Sequence, residues 1–217
     1  MAPEGRIIIL PILLLAVMAT AGIALYPQPW MKWLAGTLWF LTLFNLQFFR
    51  DPQRQLPDDA DAFVSPADGK VVVIKAIDHD EHIGGPATQV SIFLSVFNVH
   101  VQKVPFAARV DSTRYERGKF LAAFNPRASE ANEQAITYFS AGSGNFVVKQ
   151  IAGLIARRIL TYMSSGDHVS RGDRLGYIRF GSRVDIILPS SFRLSIKVGD
   201  KVAGSQTVIG HFGKQEE

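Results

Sequence analysis

Two uncharged stretches open the chain. Ile7 to Tyr26 runs for twenty residues without a charge, enough for a helix of about 30 Å, the thickness of a bilayer's hydrocarbon core. Tyr26-Pro-Gln-Pro-Trp30 then breaks the helix and places aromatic rings where a membrane interface would hold them. Trp33 to Phe49 is a second uncharged run, at the short end of the spanning range and weakened by Asn45 and Gln47. The pattern predicts a two-helix membrane hairpin over residues 1–52, with helices at about 7–26 and 33–49. A cleaved signal peptide ending near Ala19-Thr20-Ala21 fits less well, because the apolar run continues past that site and a second run follows.

Gln53 to Asp61 is polar, follows Pro52 and contains Pro57, which marks a boundary before a second domain over 53–217. Helical periodicity is scarce beyond it. Short β-branched runs recur instead: Lys70–Ile74, Gln89–Leu94, Asn145–Lys149, Val184–Leu188 and Leu194–Val198, separated by Gly, Pro and Asp. Ser129 to Gln134 supports one helical turn. The prediction is a mostly β (α+β), sandwich-like domain. Gly166-Asp-His-Val is echoed by Gly199-Asp-Lys-Val, and such turns resemble those of biotinyl- and lipoyl-like sandwiches. No Met-Lys-Met or Asp-Lys-Ala attachment tip stands between them, which argues against a swinging-arm carrier.

Composition narrows the chemistry. At 47% hydrophobic and 19% charged the chain has ample apolar surface to bury, so a disordered chain is excluded. With no cysteine, a disulfide scaffold, a thiolate metal cluster and a cysteine nucleophile are excluded together. The net charge of +4 is spread along the chain with no dense basic stripe, so no nucleic-acid partner is expected. Arg50 and Arg54 follow the second apolar run while the short loop offers only Lys32; the positive-inside bias therefore puts both ends, and the second domain, on the cytoplasmic face.

Asp78-His-Asp-Glu-His82 has the residue types of a metal site, but histidines three apart converge on one ion only on a helix, and this stretch runs into Gly84-Gly85. It reads as a solvated loop, and no metal is expected. His100 ends the run Ser91–His100, Asp68 sits in the turn Ser65-Pro-Ala-Asp-Gly69, and Ser182 sits in Phe180-Gly-Ser-Arg183. Each alone has an ordinary structural explanation.

Taken in order they do not. Phe48-Phe-Arg-Asp-Pro52 after an apolar segment, Val64-Ser-Pro-Ala-Asp-Gly-Lys-Val71, Asn98-Val-His100, Ile151-Ala-Gly-Leu-Ile-Ala-Arg-Arg-Ile159 and Leu175–Asp185 resemble the blocks of the phosphatidylserine decarboxylases, in their short proenzyme form. The resemblance runs over nearly the whole chain, and Phe-Gly-Ser-Arg, similar to that family's self-cleavage site, is its most specific part. It implies that the Gly181–Ser182 bond breaks and that Ser182 becomes a covalent pyruvoyl cofactor. The large chain 1–181 and small chain 182–217 would then stay together. It implies a Ser182, His100 and Asp68 trio, with a phospholipid substrate whose phosphate Lys70, Arg157 and Arg158 could hold, at a membrane surface. Two departures stand out: Lys103 occupies the place of a second histidine found in longer members, and Asn132-Glu-Gln134 replaces an Asn-Glu-Arg block. The competing reading is a membrane-anchored, non-enzymatic adaptor built on the biotinyl-like sandwich.

Overall fold

A computed structural model describes residues 1–123, 125, 127–154, 158–178 and 182–213. The chain forms two compact units, Met1–Gln53 and Arg54–Glu217. In the first, a short turn at Pro3–Gly5 leads into α1 (Arg6–Leu25), and α2 (Pro29–Phe48) follows. The second helix starts earlier than the apolar run suggests, because Pro29 stands at the first helical positions, where its missing N–H is no loss. The two helices pack on each other, and Trp39 Nε1 donates to Thr20 Oγ1 at 3.1 Å. The segment Pro3–Leu25, with a mean hydropathy of 2.7, is the one described helix long and apolar enough to cross a membrane.

The second unit is mostly β, as expected. Its strands are β1 (Ala62–Val64), β2 (Gly69–Asp80), β3 (Gly85–Leu94), β4 (Val101–Lys103), β5 (Ala108–Glu116), β6 (Gln134–Ala141), β7 (Gly144–Ala152), β8 (Ile159–Thr161), β9 (His168–Val169), β10 (Arg174–Ile178), β11 (Ser182–Pro189), β12 (Arg193–Leu194), β13 (Lys201–Val202) and β14 (Val208–His211). One helical turn, α3 (Ala128–Ala131), precedes β6. Eight strands form an antiparallel sheet in the order β13-β2-β3-β11-β7-β6-β5-β9, and two three-stranded sheets, β4-β10-β8 and β1-β14-β12, accompany it.

Side chains alternate across a strand. On β11 this sends Val184, Ile186 and Leu188 into the main core with Val90, Ile92, Phe146 and Val148, while Ile187 joins a smaller cluster with Ala87, Ile136 and Val147. Both faces of β11 are therefore buried. At one end of the core, Phe63 meets the rings of Phe146, Phe192 and Phe212 edge-on with centroids 5.1, 5.4 and 5.9 Å away, spacings at which aromatic pairs add to simple burial.

The echoed turns share one device. Ser164 N–H donates to Asp167 Oδ2 at 2.7 Å, Lys197 N–H to Asp200 Oδ2 at 2.9 Å, and a third copy joins Ser170 N–H to Asp173 Oδ2 at 2.7 Å. Each contains a glycine at φ near +90 to +100° just before the aspartate, a conformation that a side chain disfavours. The Lys197–Asp200 turn also explains why Leu194–Val198 is not the strand its β-branched residues predict. Asp200 pulls Lys197–Asp200 into a turn, and only Arg193–Leu194 pairs with β14.

Phe63→Ala is expected to lower the unfolding free energy by about 3–5 kcal/mol, the usual cost of removing a fully buried ring. Chemical denaturation should show a lower midpoint with an unchanged slope.

Candidate active site

β11 begins at Ser182, which is fully buried, and its Oγ meets no hydrogen-bond partner among the described residues. A buried hydroxyl left this way costs about 1–3 kcal/mol, so it requires an explanation. Ser182 lies opposite Leu94 of β3 on one side and Ala152 of β7 on the other. Alternation directs its side chain to the same face as Val184.

The chain turns sharply just after Leu94. Asn98 Oδ1 accepts from the Ser95 N–H at 2.9 Å and from Ser95 Oγ at 2.7 Å, and Asn98 N–H donates to the Ser95 carbonyl at 2.9 Å. This turn delivers His100, which has no exposed surface. Its Nδ1 lies 2.9 Å from the Asn98 carbonyl. A carbonyl can only accept, so Nδ1 carries a proton, which leaves Nε2 to act as the base whenever the ring is neutral. The backbone of His100 is also tied down. Its carbonyl accepts from Ile178 N–H at 3.4 Å, four residues before Ser182, and from Gln102 Nε2 at 2.8 Å. Gln102 Oε1 in turn accepts from Gln150 Nε2 at 3.0 Å, and Gln150 lies on β7 two residues from Ala152, the neighbour of Ser182. A side chain at Gly176 would collide with the Leu160 carbonyl and with this glutamine, so the close approach of β10 requires glycine.

Asp68 sits at the same end of the sheet, just ahead of β2, but it engages a different partner. Its carboxylate forms a two-pronged pair with Arg54, Nη1 to Oδ1 and Nη2 to Oδ2 at 2.8 Å, and Oδ1 also accepts the Gly204 N–H at 2.8 Å. Among the described residues no hydrogen bond joins Asp68 to His100. The adjoining Gly69 passes so close to β3 that a Cβ would strike the Phe93 carbonyl oxygen. Lys70 is exposed on β2 opposite Phe93, and Arg158 is exposed just before β8. Lys103 is half-buried at the end of β4. Gly181 and Arg157 lie outside the described residues. The stretch Asp78–His82, expected as a solvated loop, instead carries β2 as far as Asp80, and His82 in the turn beyond it is half-buried, with its Nε2 3.0 Å from the Phe139 carbonyl and its ring against Tyr138.

Ser182 and His100 are thus both buried, the one with an Oγ that meets no described partner and the other with Nδ1 held by a backbone carbonyl. The family model described as phosphatidylserine decarboxylase matches residues 41–210. A phosphatidylserine decarboxylase proenzyme of Desulfotalea psychrophila is 47% identical over 170 residues, 78% of this chain and 79% of that one. Proteins of the same name from Burkholderia pseudomallei and Cupriavidus pinatubonensis are 43% and 45% identical over 84% and 82% of both chains. The chain belongs to the phosphatidylserine decarboxylase family.

Several residues around the site carry little sequence signal. Arg54 lies in the polar linker fourteen residues before its partner, and nothing in a linear pattern connects the two. Gln102 and Gln150 read as ordinary polar strand residues. Arg183 and Asp185 did offer a signal, since two charges at alternate positions of an otherwise apolar strand must share one face.

Arg54→Ala is expected to destabilise the second unit by about 3 kcal/mol, the low end for breaking a largely buried pair, because Asp68 would keep only the Gly204 N–H. A denaturant titration of the purified chain checks it.

Proposed function

We propose that this chain converts phosphatidylserine to phosphatidylethanolamine with a pyruvoyl group made from its own Ser182. The observation that carries the reading is the buried Ser182 hydroxyl, without a partner among the described residues, in a strand that begins where the family's Phe-Gly-Ser-Arg block places the scissile bond. Ser182 Oγ attacks the carbonyl carbon of residue 181; the O–C bond forms, the peptide C–N bond breaks, and the hydroxyl proton passes by way of a base to the freed amine. Loss of the Ser182 Cα proton then expels the carboxylate of residue 181 from Cβ. Water replaces nitrogen as ammonia departs, leaving a ketone with no net oxidation or reduction. His100 Nε2 is our candidate base, with its ring held by Asn98. Asp68 serves through Arg54 and Gly204 to fix the turn that starts β2, beside the strand that ends opposite Ser182.

The pyruvoyl ketone supplies the electrophile that takes up the substrate's amine and draws off the electron pair released with carbon dioxide. His100, once the chain has matured, returns a proton to the product. Lys70 and Arg158, both exposed, suit the lipid phosphate together with Arg157. The small chain Ser182–Glu217 stays seated because β11 is paired on both edges, β13 pairs β2, and β14 pairs β1. The helices of residues 1–52 serve as the membrane anchor, with the catalytic unit 53–217 on the cytoplasmic face. Leu10, Leu14, Met18, Trp33, Phe40 and Leu43 are exposed on them, as a lipid-facing surface would be.

Ser182→Ala should remain a single chain on a denaturing gel and release no carbon dioxide from phosphatidylserine vesicles. His100→Ala should mature about 10²–10⁴-fold more slowly. A Ser182→Ala chain that still decarboxylates would refute the proposal.

A further inference from the structure

Immediately after the cleavage serine lies a polar network that the mechanism above does not use. Arg183 is 1% exposed and is among the largest fully buried side chains in the molecule. Its Nε donates to Asp185 Oδ1 at 2.7 Å and its Nη2 to Ser91 Oγ at 2.6 Å. Asp185 Oδ2 accepts from Ser129 Oγ at 2.5 Å and from Gln89 Nε2 at 2.9 Å, and Gln89 Nε2 also reaches Ser91 Oγ at 3.0 Å. The network therefore ties β11 to β3 and to α3.

Stability does not account for it. Taking two charges out of water costs about as much as their attraction returns, and apolar residues of similar volume often do as well or better. The surroundings would accept such residues, since Ile187, Val147, Ile136 and Ala87 pack on the same face. Arg183 Nη1 is moreover buried with no partner among the described residues, which a network selected for stability alone would avoid. What the pair does supply is geometry. A guanidinium fork bonded to two fixed acceptors has one orientation, and a slip of β11 by one residue would drive Arg183 and Asp185 into the apolar main core.

We propose that the Arg183–Asp185 pair, braced by Ser91, Gln89 and Ser129, is a positioning device for self-cleavage: it fixes the backbone directly after Ser182 and with it the direction in which Oγ is presented. The idea rests on the reading of Ser182 as the internal nucleophile. The assisted step is the first one, in which the Oγ–C bond forms, the C–N bond breaks and the hydroxyl proton goes to the departing amine. A misplacement of about 1 Å at such a step costs about 10²-fold in rate.

The test follows maturation of the full chain in detergent, by the appearance of two bands, alongside its unfolding midpoint. Arg183→Met/Asp185→Leu removes both charges together; it should keep or raise the midpoint, yet mature about 10²-fold more slowly. Arg183→Lys keeps a charge but loses the fork and should also mature slowly. Hydroxylamine, which cuts esters, should leave the unmatured chains of both variants whole, because the ester has not formed. Maturation of the double variant at the wild-type rate would overturn the proposal, as would slow chains that hydroxylamine cuts readily. If the double variant does not fold, Arg183→Lys decides by the same criteria. A wild-type chain that never cleaves would instead overturn the reading of Ser182 itself.

Discussion

The structure depends on β11 being held from every side. Its backbone is hydrogen-bonded to β3 over eight residues and to β7 over six, and both of its faces are buried. A strand with both edges satisfied and both faces covered does not slide, since a one-residue slip would invert every side chain. Ser182, the proposed nucleophile, is the first residue of that strand. Ser182 thus sits where the chain enters a strand paired on both edges, and sites on such elements hold tighter geometry than sites on loops.

The same constraint explains how a cut chain could remain one molecule. Everything downstream of Ser182 supplies strands to sheets whose other members lie upstream, so separation would expose the edges of β2, β3 and β7 and open the core. A backbone carbonyl accepts from the His100 ring, and two amide side chains link the His100 backbone to β7. Amides hold position without titrating. Two charged pairs brace the neighbouring strands, Arg54 with Asp68 at the turn before β2 and Arg183 with Asp185 on the face of β11 opposite the Ser182 side chain.

The sequence disclosed the sheet through its β-branched runs. Lys70–Ile74, Gln89–Leu94, Asn145–Lys149 and Val184–Leu188 all fall within observed strands. Leu194–Val198 failed because a side-chain contact, Asp200 to the Lys197 N–H, overrides propensity there. Ser182 and His100 are both buried, and the blocks that hold them were legible, being short and distinctive. The hydrogen-bond partners were not. Asp68 reads as the natural orienting carboxylate for a histidine, yet its pairing with Arg54 arises from the path of a linker, which no periodicity encodes. The polar face of β11 was half-legible: alternation puts Arg183 beside Asp185, but only the packed structure shows Ser91, Gln89 and Ser129 closing around them.

The central claim is that one peptide bond breaks and leaves a ketone where a serine stood. The most direct measurement is the intact mass of the purified wild-type protein, with and without borohydride. The account predicts two species, Met1–Gly181 and a fragment beginning at position 182 whose terminus is a pyruvoyl group that gains the mass of reduction. A single unbroken chain, or a small fragment with an ordinary serine terminus that borohydride leaves unchanged, would contradict it.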